Sequence, residues 1–392
     1  MSNTVITGFA RTPIGRFGGG FKPLQAVDLG AAAIAAALDR SRISGQQVDE
    51  VVMGHVIQAG TGQITSRQAA VKAGIPMTVP STTVNKVCLS GLTAIAMVDR
   101  SIRLGEASIA VAGGMESMTN APYVALRARW GARIGDTKLI DSLQRDGLRC
   151  AFDQCTMGEA GDGKNAALGI DRSSQDAWSA ESHRRAAAAT ESGHFAREIV
   201  PVAVPQRGGA DCEVVADEGI RPGVTAESLG ELRTAFTGDG TITAGNASQI
   251  SDGAAAVVVA SRSAAEAAGA PIAAEILSYG QIGGVDPTLH ERPAEAIKVA
   301  LKKADLTLDD LDVIEINEAF ASVAMWSAKM LDLDPADVNP NGGAVALGHP
   351  IGCTGARLVV SLINELQRRG GGIGAAALCG GGGQGDAMIV RV

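Results

Sequence analysis

Two cysteines and a histidine carry the residue types for thiol chemistry. Cys88 stands between a strand-like Thr82-Thr-Val-Asn-Lys-Val and a helix-like Ser90-Gly-Leu-Thr-Ala-Ile-Ala-Met. A thiol at a helix N-terminus meets the positive end of the dipole, which favours thiolate; a small cysteine filling a buried turn fits the same position. His349 lies between Gly348 and Pro350 ahead of a helix-like run from Gly355 to Leu366. It could accept a proton from a nearby thiol, or be a satisfied structural histidine. Cys379 ends an apolar run and enters four glycines. A substrate atom could approach both its sulfur and the bare backbone N–H groups, which can form an oxyanion hole; a strand-end core cysteine is the alternative. Asn317-Glu318 directly follows the apolar Val313-Ile-Glu-Ile. A polar pair at the C-terminal end of a buried strand lies where α/β sheets place their sites. An ordinary N-cap for the Ala-Phe-Ala run that follows competes with this.

These side chains need rigid elements behind them, and the chain supplies the same ones twice. Ile34-Ala-Ala-Ala-Leu-Asp-Arg-Ser-Arg-Ile lies over Ile297-Lys-Val-Ala-Leu-Lys-Lys-Ala-Asp-Leu, with Val48-Asp49 over Leu311-Asp312. Each copy reads as an amphipathic helix, a polar loop and a buried strand, Val51-Val-Met-Gly in one and Val313-Ile-Glu-Ile in the other. The first half runs on to Cys88, a helix and the strand Ile109-Ala-Val-Ala-Gly-Gly. The second runs on to His349, a helix and Gly374-Ala-Ala-Ala-Leu-Cys379. Strands alternating with helices imply βαβ units and mostly buried sheets. Residues from about 120 to 248 break this rhythm. They hold a helix expected from Ser173 to Ser192, and they read as an insertion over the first half, where binding function concentrates. The glycines flanking His349 and Cys379 are too many for purely structural loops, given the entropy they cost.

At 392 residues the chain has room for two or three domains. Hydrophobic residues are 46% and charged residues 19%, as in soluble globular proteins. No apolar run reaches roughly 18 residues, so no membrane span is expected. Nor does the N-terminus read as a secretory signal. The net charge of −8 argues against nucleic acid as a partner and requires any anionic ligand to be met locally. Six cysteines without CxxC spacing are no disulfide framework, and the five histidines show no metal-ligand clustering. The expectation is a cytoplasmic protein with neither metal nor cofactor.

Taken together, the motifs resemble the thiolases, the acetyl-CoA acetyltransferase and 3-ketoacyl-CoA thiolase group, over essentially the whole chain. They are Asn85-Lys-Val-Cys88-x-Ser-Gly, Gly113-Gly-Met-Glu-Ser-Met, Gly245-Asn-Ala-Ser248-x-x-Ser-Asp-Gly-Ala-Ala, Asn317-Glu-Ala-Phe-Ala, Gly342-Gly-Ala-Val-Ala-Leu-Gly-His349-Pro-Ile-Gly and Cys379-Gly-Gly-Gly-Gly. The resemblance implies an α/β thiolase fold, with duplicated βαβαβαββ halves forming a five-layer α-β-α-β-α core. It divides the chain into a half at 1–119 (completed by 249–270), a CoA-binding loop domain at 120–248 and a second half at 271–392. It implies a homotetramer, a dimer of dimers. The implied reaction is a reversible Claisen condensation of two acetyl-CoA to acetoacetyl-CoA, with a β-oxidation 3-ketoacyl-CoA thiolase of broader chain length as the alternative.

By the same resemblance Cys88 takes the acyl group and His349 accepts its proton. Asn317 positions a water in the oxyanion hole that His349 shares. Cys379 moves the α-proton, and the N–H groups of Cys88 and Gly381 form the second hole. A separate base is required because Cys88 is acylated when the base acts. CoA contacts carry over to Arg221 and Ser228 at the nucleotide end, Ser248 and Ala244 at the pantetheine, and Leu148, Met157, Phe236, Ala319 and Phe320 along the tunnel. Arg221 would be the local cation for an acidic protein. Three positions depart from the common pattern. Thr156 stands where short-chain members often carry His, His290 follows Asp286-Pro287, and Leu89 replaces Gly or Ala. They leave the chemistry intact and bear on acyl preference; His290 either makes the pocket polar or faces solvent. A decarboxylating ketoacyl synthase would not need Cys379, and a non-enzymatic relic of the fold would be expected to have lost one of Cys88, His349 or Cys379.

Overall fold

The computed structural model describes residues 4–206 and 208–392. Its first half runs β1 (Thr4–Arg11), α1 (Ala26–Ser41), β2 (Glu50–Gly54), α2 (Thr65–Lys72), β3 (Ser81–Val84), α3 (Ser90–Leu104) and β4 (Ile109–Ser117). An excursion containing α4 (Met157–Leu168) and α5 (Arg172–Glu191) follows, and β5 (Ser251–Ser261) returns to the sheet. The second half runs β6 (Ala274–Gly283), α6 (Arg292–Ala304), β7 (Val313–Ile316), α7 (Ala321–Met330), α8 (Thr354–Arg369), β8 (Ile373–Gly380) and β9 (Gln384–Arg391).

The strand order is β7-β8-β9-β6-β1-β5-β4-β2-β3. The path repeats itself about its middle. In the first half β1 is antiparallel to β5, β5 to β4, and β4 parallel to β2. In the second, β6 is antiparallel to β9, β9 to β8, and β8 parallel to β7. Strand β3 beside β2 has as its counterpart only a bridge from Val338 to Ile314. The halves touch in register at Val5–Glu275 and Ile6–Ala274. This is the duplication that the paired helix-loop-strand segments imply.

Packing makes five layers. Leu29, Ile34 and Leu38 of α1 and Ala69 of α2 bury against Val51, Met53 and Val111 on one outer face. Ile297 and Leu301 of α6 and Ala324 of α7 do the same against Ile314, Ile316 and Ile389 on the other. Between the sheets lie α3 and α8, whose Leu92, Ile95, Leu358, Leu362 and Ile363 meet Val257 and Val259 from one sheet and Leu378 and Met388 from the other. Every residue of α8 from Thr354 to Leu366 is buried. Each such leucine or isoleucine contributes about 1.5–3 kcal/mol on burial. The two central helices approach at glycine: a Cβ on Gly91 would lie 2.8 Å from the Ala356 nitrogen, and one on Gly355 would lie 2.4 Å from the Leu92 nitrogen. The N-termini of both helices, and hence the turns carrying Cys88 and His349, therefore meet at the same end of the molecule.

In the excursion, Asp171 caps α5 by accepting from the Ser174 N–H, one residue ahead of the expected start. Thr156 and Glu159 form a reciprocal capping box at α4.

Candidate active site

Cys88 sits on a strained elbow between β3 and α3. The residue before it, Val87, has φ +51°, a conformation that β-branched side chains avoid. Side chains hold it there. Asn85 Oδ1 accepts from the Val87 N–H at 3.0 Å. Ser90 Oγ accepts from Lys86 N at 2.8 Å and donates to Val87 O at 2.6 Å. Lys86 pairs at 2.7 Å with Asp386, a β9 residue that also accepts from Thr93, so the elbow is tied to both halves.

The backbone N–H groups of Gly381 and of Cys88 itself lie close enough to the Cys88 sulfur to favour thiolate. Burial outweighs them and pushes the thiol up to about 12, with Glu116 adding to the rise. Of the two readings of its position, burial in the turn outweighs the helix start: the field there is weaker than the loss of water around the sulfur. Cys379, fully buried at the end of β8, is likewise raised, by burial first and by Cys88 second. The two thiols thus share one site, with the Gly381 N–H beside them.

His349 is buried, and its tautomer can be read from its neighbours. The Thr354 hydroxyl lies 2.7 Å from His349 Nδ1 and 3.0 Å from Pro350 O; with its one proton directed to Pro350 O, it accepts from Nδ1. That leaves the lone pair on Nε2, where Asn317 Nδ2 approaches at 3.4 Å. Burial and the neighbouring Arg357 hold the imidazole down to about 3, so it is neutral. Asn317 Oδ1 is buried without a partner, free for a water or a substrate group. Glu318 is no helix cap, since α7 starts at Ala321 with Phe320 as its N-cap. It is buried and accepts from Trp178 Nε1, Ser182 Oγ, Asn339 Nδ2 and Val345 N, fastening α5 to the loop that leads to His349.

A cleft of about 450 Å³ opens beside these residues, within the range of small-molecule sites. Leu148, Met157, Arg221, Phe236, Ala244, Ser248, Ala319 and Phe320 all line it. Ala319 and Phe320 share a core cluster with Cys379, with Met157 packed against it, and Leu148 and Cys88 both pack against a second cluster, so the cleft neighbours both thiols. Ser228 does not line the cleft; its hydroxyl turns back to Thr225 O inside the cap of a short helix. Of the three departures, Thr156 lines the cleft while also capping α4. Leu89 is fully buried against the Gly380 backbone. His290 neither lines the cleft nor faces solvent. It is buried between α4 and α7, with Nε2 2.8 Å from Asn165 and 3.2 Å from Ser322.

Sequence reading missed Arg16 and Phe17 of the cleft, Thr354 behind the imidazole, and Gln249. Gln249 Nε2 lies within 3.1 Å of the Gly219, Val345 and Ala346 carbonyls, among which its two protons are shared, and the Gln249 backbone carbonyl accepts the His349 N–H at 3.0 Å. Thr354 was detectable in principle, since a hydroxyl at the start of the helix after a histidine is in reach of its ring; Gln249 left no local signal. Among the described residues no group of three or more His, Cys, Asp or Glu is arranged to hold a metal ion. Among the same residues no helix is long and apolar enough to cross a membrane.

Fold and site together define an α/β protein with paired thiols and a neutral imidazole at the end of a cleft, and comparison with known proteins gives the family. The thiolase N-terminal domain model matches residues 4–263 and the thiolase C-terminal domain model residues 270–392. A probable acetyl-CoA acetyltransferase of Mycolicibacterium smegmatis is 51% identical over 387 residues, covering 99% of this chain and all of that one. The acetyl-CoA acetyltransferase of Escherichia coli K12 is 49% identical, covering 100% of this chain and 99% of that one. The crystal structure of the Bacillus anthracis acetyl-CoA acetyltransferase superposes with a TM-score of 0.97 at 42% identity, covering 100% of this chain and 99% of that one. The chain belongs to the thiolase family.

Proposed function

We propose that this protein is an acetyl-CoA C-acetyltransferase that joins two acetyl-CoA into acetoacetyl-CoA and CoA, reversibly. The observation that carries the reading is that the Cys88 and His349 turns meet at one end of the molecule, where Cys379 and Gly381 lie beside Cys88 and Met157, Ala319 and Phe320 of the cleft belong to the cluster around Cys379. Cys88 Sγ attacks the thioester carbonyl as His349 Nε2 takes its proton and keeps it until the Cys88 sulfur is released; the departing CoA sulfur takes the Cys379 proton, leaving Cys379 as the thiolate that the next step needs. Cys379 then removes the α-proton of a second acetyl-CoA, whose thioester oxygen is held by His349 and a water on Asn317. The carbanion attacks acetyl-Cys88. The tetrahedral oxyanion is met by the Cys88 and Gly381 N–H groups, and collapse releases the Cys88 sulfur. Neither thiol ionises at rest, so each needs its partner and the bound substrate before it reacts. No metal or cofactor enters these steps.

The segment 120–248 is read as the CoA-binding loop domain, because Leu148, Met157, Arg221, Phe236, Ala244 and Ser248 bring the cleft much of its wall. Arg221 is exposed there and supplies a cation for the nucleotide phosphates. A homotetramer is supported by Leu126, Trp130, Ile134 and Leu139, which leave 54, 81, 97 and 64% of their area exposed within a short stretch of that segment. Monomers seldom present such a patch. A reducing cytoplasm agrees with the six free cysteines, and the reading places the enzyme in lipid metabolism.

Incubation with acetyl-CoA should acetylate Cys88, identified by peptide mapping. The Cys379→Ala variant should still acetylate Cys88 while losing condensation. Label on another residue, or equal loss of both steps, would end the assignment. Thiolysis rates on 3-ketoacyl-CoA substrates of increasing length separate this reading from a broad-range degradative thiolase.

A further inference from the structure

The geometry points to Glu116 as the positioning residue that sets the spacing between the Cys88 turn and the His349 turn. This rests on the proposed roles of those two residues. Glu116 belongs to the Gly113-Gly-Met-Glu-Ser-Met motif, for which the reaction itself has no use. It lies one residue from the end of β4 and is fully buried.

Its carboxylate makes contacts in two directions. Oε2 accepts from the Gly352 N–H at 3.0 Å, three residues beyond His349. The same oxygen accepts from Val56 N at 3.1 Å, and Oε1 accepts from Ile57 N at 3.2 Å. Val56 continues the path to the nucleophile, because its carbonyl accepts from Asn85 Nδ2 at 3.3 Å and Asn85 Oδ1 holds Val87 N. The link therefore runs from Gly352 through Glu116, Val56 and Asn85 to the strained residue next to Cys88. One end lies in each half of the duplicated chain.

The neighbourhood is built for contact at this range. A Cβ on Gly352 would fall 2.7 Å from Met115 O and 2.8 Å from Glu116 Oε2, and one on Gly114 would fall 2.0 Å from Gly352 O. Only glycine lets the His349 loop come close enough for its N–H to reach the carboxylate. His55 closes the remaining side, with Nε2 3.4 Å from Glu116 and Nδ1 2.9 Å from Thr65 Oγ1. Two carboxyl oxygens accepting three backbone N–H groups from two loops fix both loops at once. A buried apolar residue of the same size would leave three N–H groups unpaired and the loops free to drift. A misplacement near 1 Å at reacting groups is enough for about a 10²-fold loss of rate.

Single-turnover acetylation of Cys88 tests this, with the wild-type protein as reference. If wild type is not acetylated, the proposed function fails and Glu116 is not at issue. Given wild-type acetylation, Glu116→Met should slow it about 10²-fold with KM for acetyl-CoA nearly unchanged. Glu116→Gln keeps one acceptor oxygen for Val56 and Gly352 and should recover most of the rate. Asn85→Ala cuts the Cys88 arm without touching Glu116, and should slow acetylation even if Glu116→Met does not fold. Combined with Glu116→Met, it should add little to the loss, because both break one path. Wild-type acetylation in Glu116→Met or in Asn85→Ala, or fully additive losses, would overturn the assignment.

Discussion

A neutral imidazole can serve as a base only if the right nitrogen is free, and in this site one hydroxyl decides which. Thr354 has a single proton; when Pro350 O takes it, the hydroxyl oxygen accepts from His349 Nδ1. Thr354→Val removes that acceptor and strands a buried N–H, at a cost of about 1–3 kcal/mol. The imidazole can then move its proton to Nε2, where no base is left for the Cys88 thiol. Steady-state kinetics should show kcat reduced by about 10²-fold, with KM little changed and Thr354→Ser restoring activity. A fall confined to thermal stability would mean that the ring is held in place by packing alone. At this scale the candidate groups were legible in the sequence, because Cys88, His349, Asn317 and Cys379 stand beside glycines or at strand ends. Their protonation was not. The dipole argument for Cys88 pointed one way, whereas burial, which no local pattern reveals, pushed its thiol to about 12.

The elements turn these residues toward one another by bending the backbone sharply at two strand-to-helix turns. The first turn puts Val87 at φ +51°, and such strain in a β-branched residue is of order 1–3 kcal/mol. Val87→Gly relieves it, while glycine's freedom in the unfolded chain costs about 0.5–1 kcal/mol, and the trimmed side chain loses its packing near Gly381. These terms nearly cancel, so urea unfolding should place the variant within about 1 kcal/mol of wild type. Condensation should slow, since a glycine elbow no longer points Cys88 in one direction. A loss beyond about 2 kcal/mol would show that the turn stores no strain. The repeated helix-loop-strand segments were readable beforehand because a 3.6-residue apolar period survives duplication, and Ile34 and Ile297 each land on an outer helix face. Two features were not readable. One is the fifth strand of the second half, reduced to the Val338 bridge. The other is the setting of His290, whose partners Asn165 and Ser322 come from helices far apart in sequence.

For the whole molecule, the buried charge distribution predicts how stability follows pH. All five histidines have pKa values lowered by burial, to about 4 for His55, His183 and His290 and about 3 for His349, with His194 shifted the same way. The unfolded chain takes up these protons as pH falls through the ordinary value of 6.5, and the folded chain does not. Stability therefore drops on acidification, by about 1.4 kcal/mol per pH unit for each such group. Three buried carboxyl groups, Glu116, Glu315 and Asp252, are raised by burial and work in the opposite sense. Burial raises Glu116 to about 7 and Glu315 to about 8 from an ordinary 4.5. Each keeps a proton in the fold that the unfolded chain has lost, so their contribution declines as pH rises from 4.5 to 7 or 8. Below 6.5 the five histidines outweigh the three carboxyl groups; above 6.5 the carboxyl groups act alone. Stability should therefore peak near pH 6.5, falling steeply toward pH 5 and gently toward pH 8. Glu181 and Glu365, held down to about 2 by their arginine partners, add a further loss below 4.5. Urea midpoints across this range provide the check. A steady rise from pH 6.5 to pH 8 would mean that Glu116 and Glu315 are ionised in the fold. If the gentle decline is present, Glu116→Gln should flatten it between pH 6.5 and 7, because an amide cannot release the proton that the carboxyl gives up there.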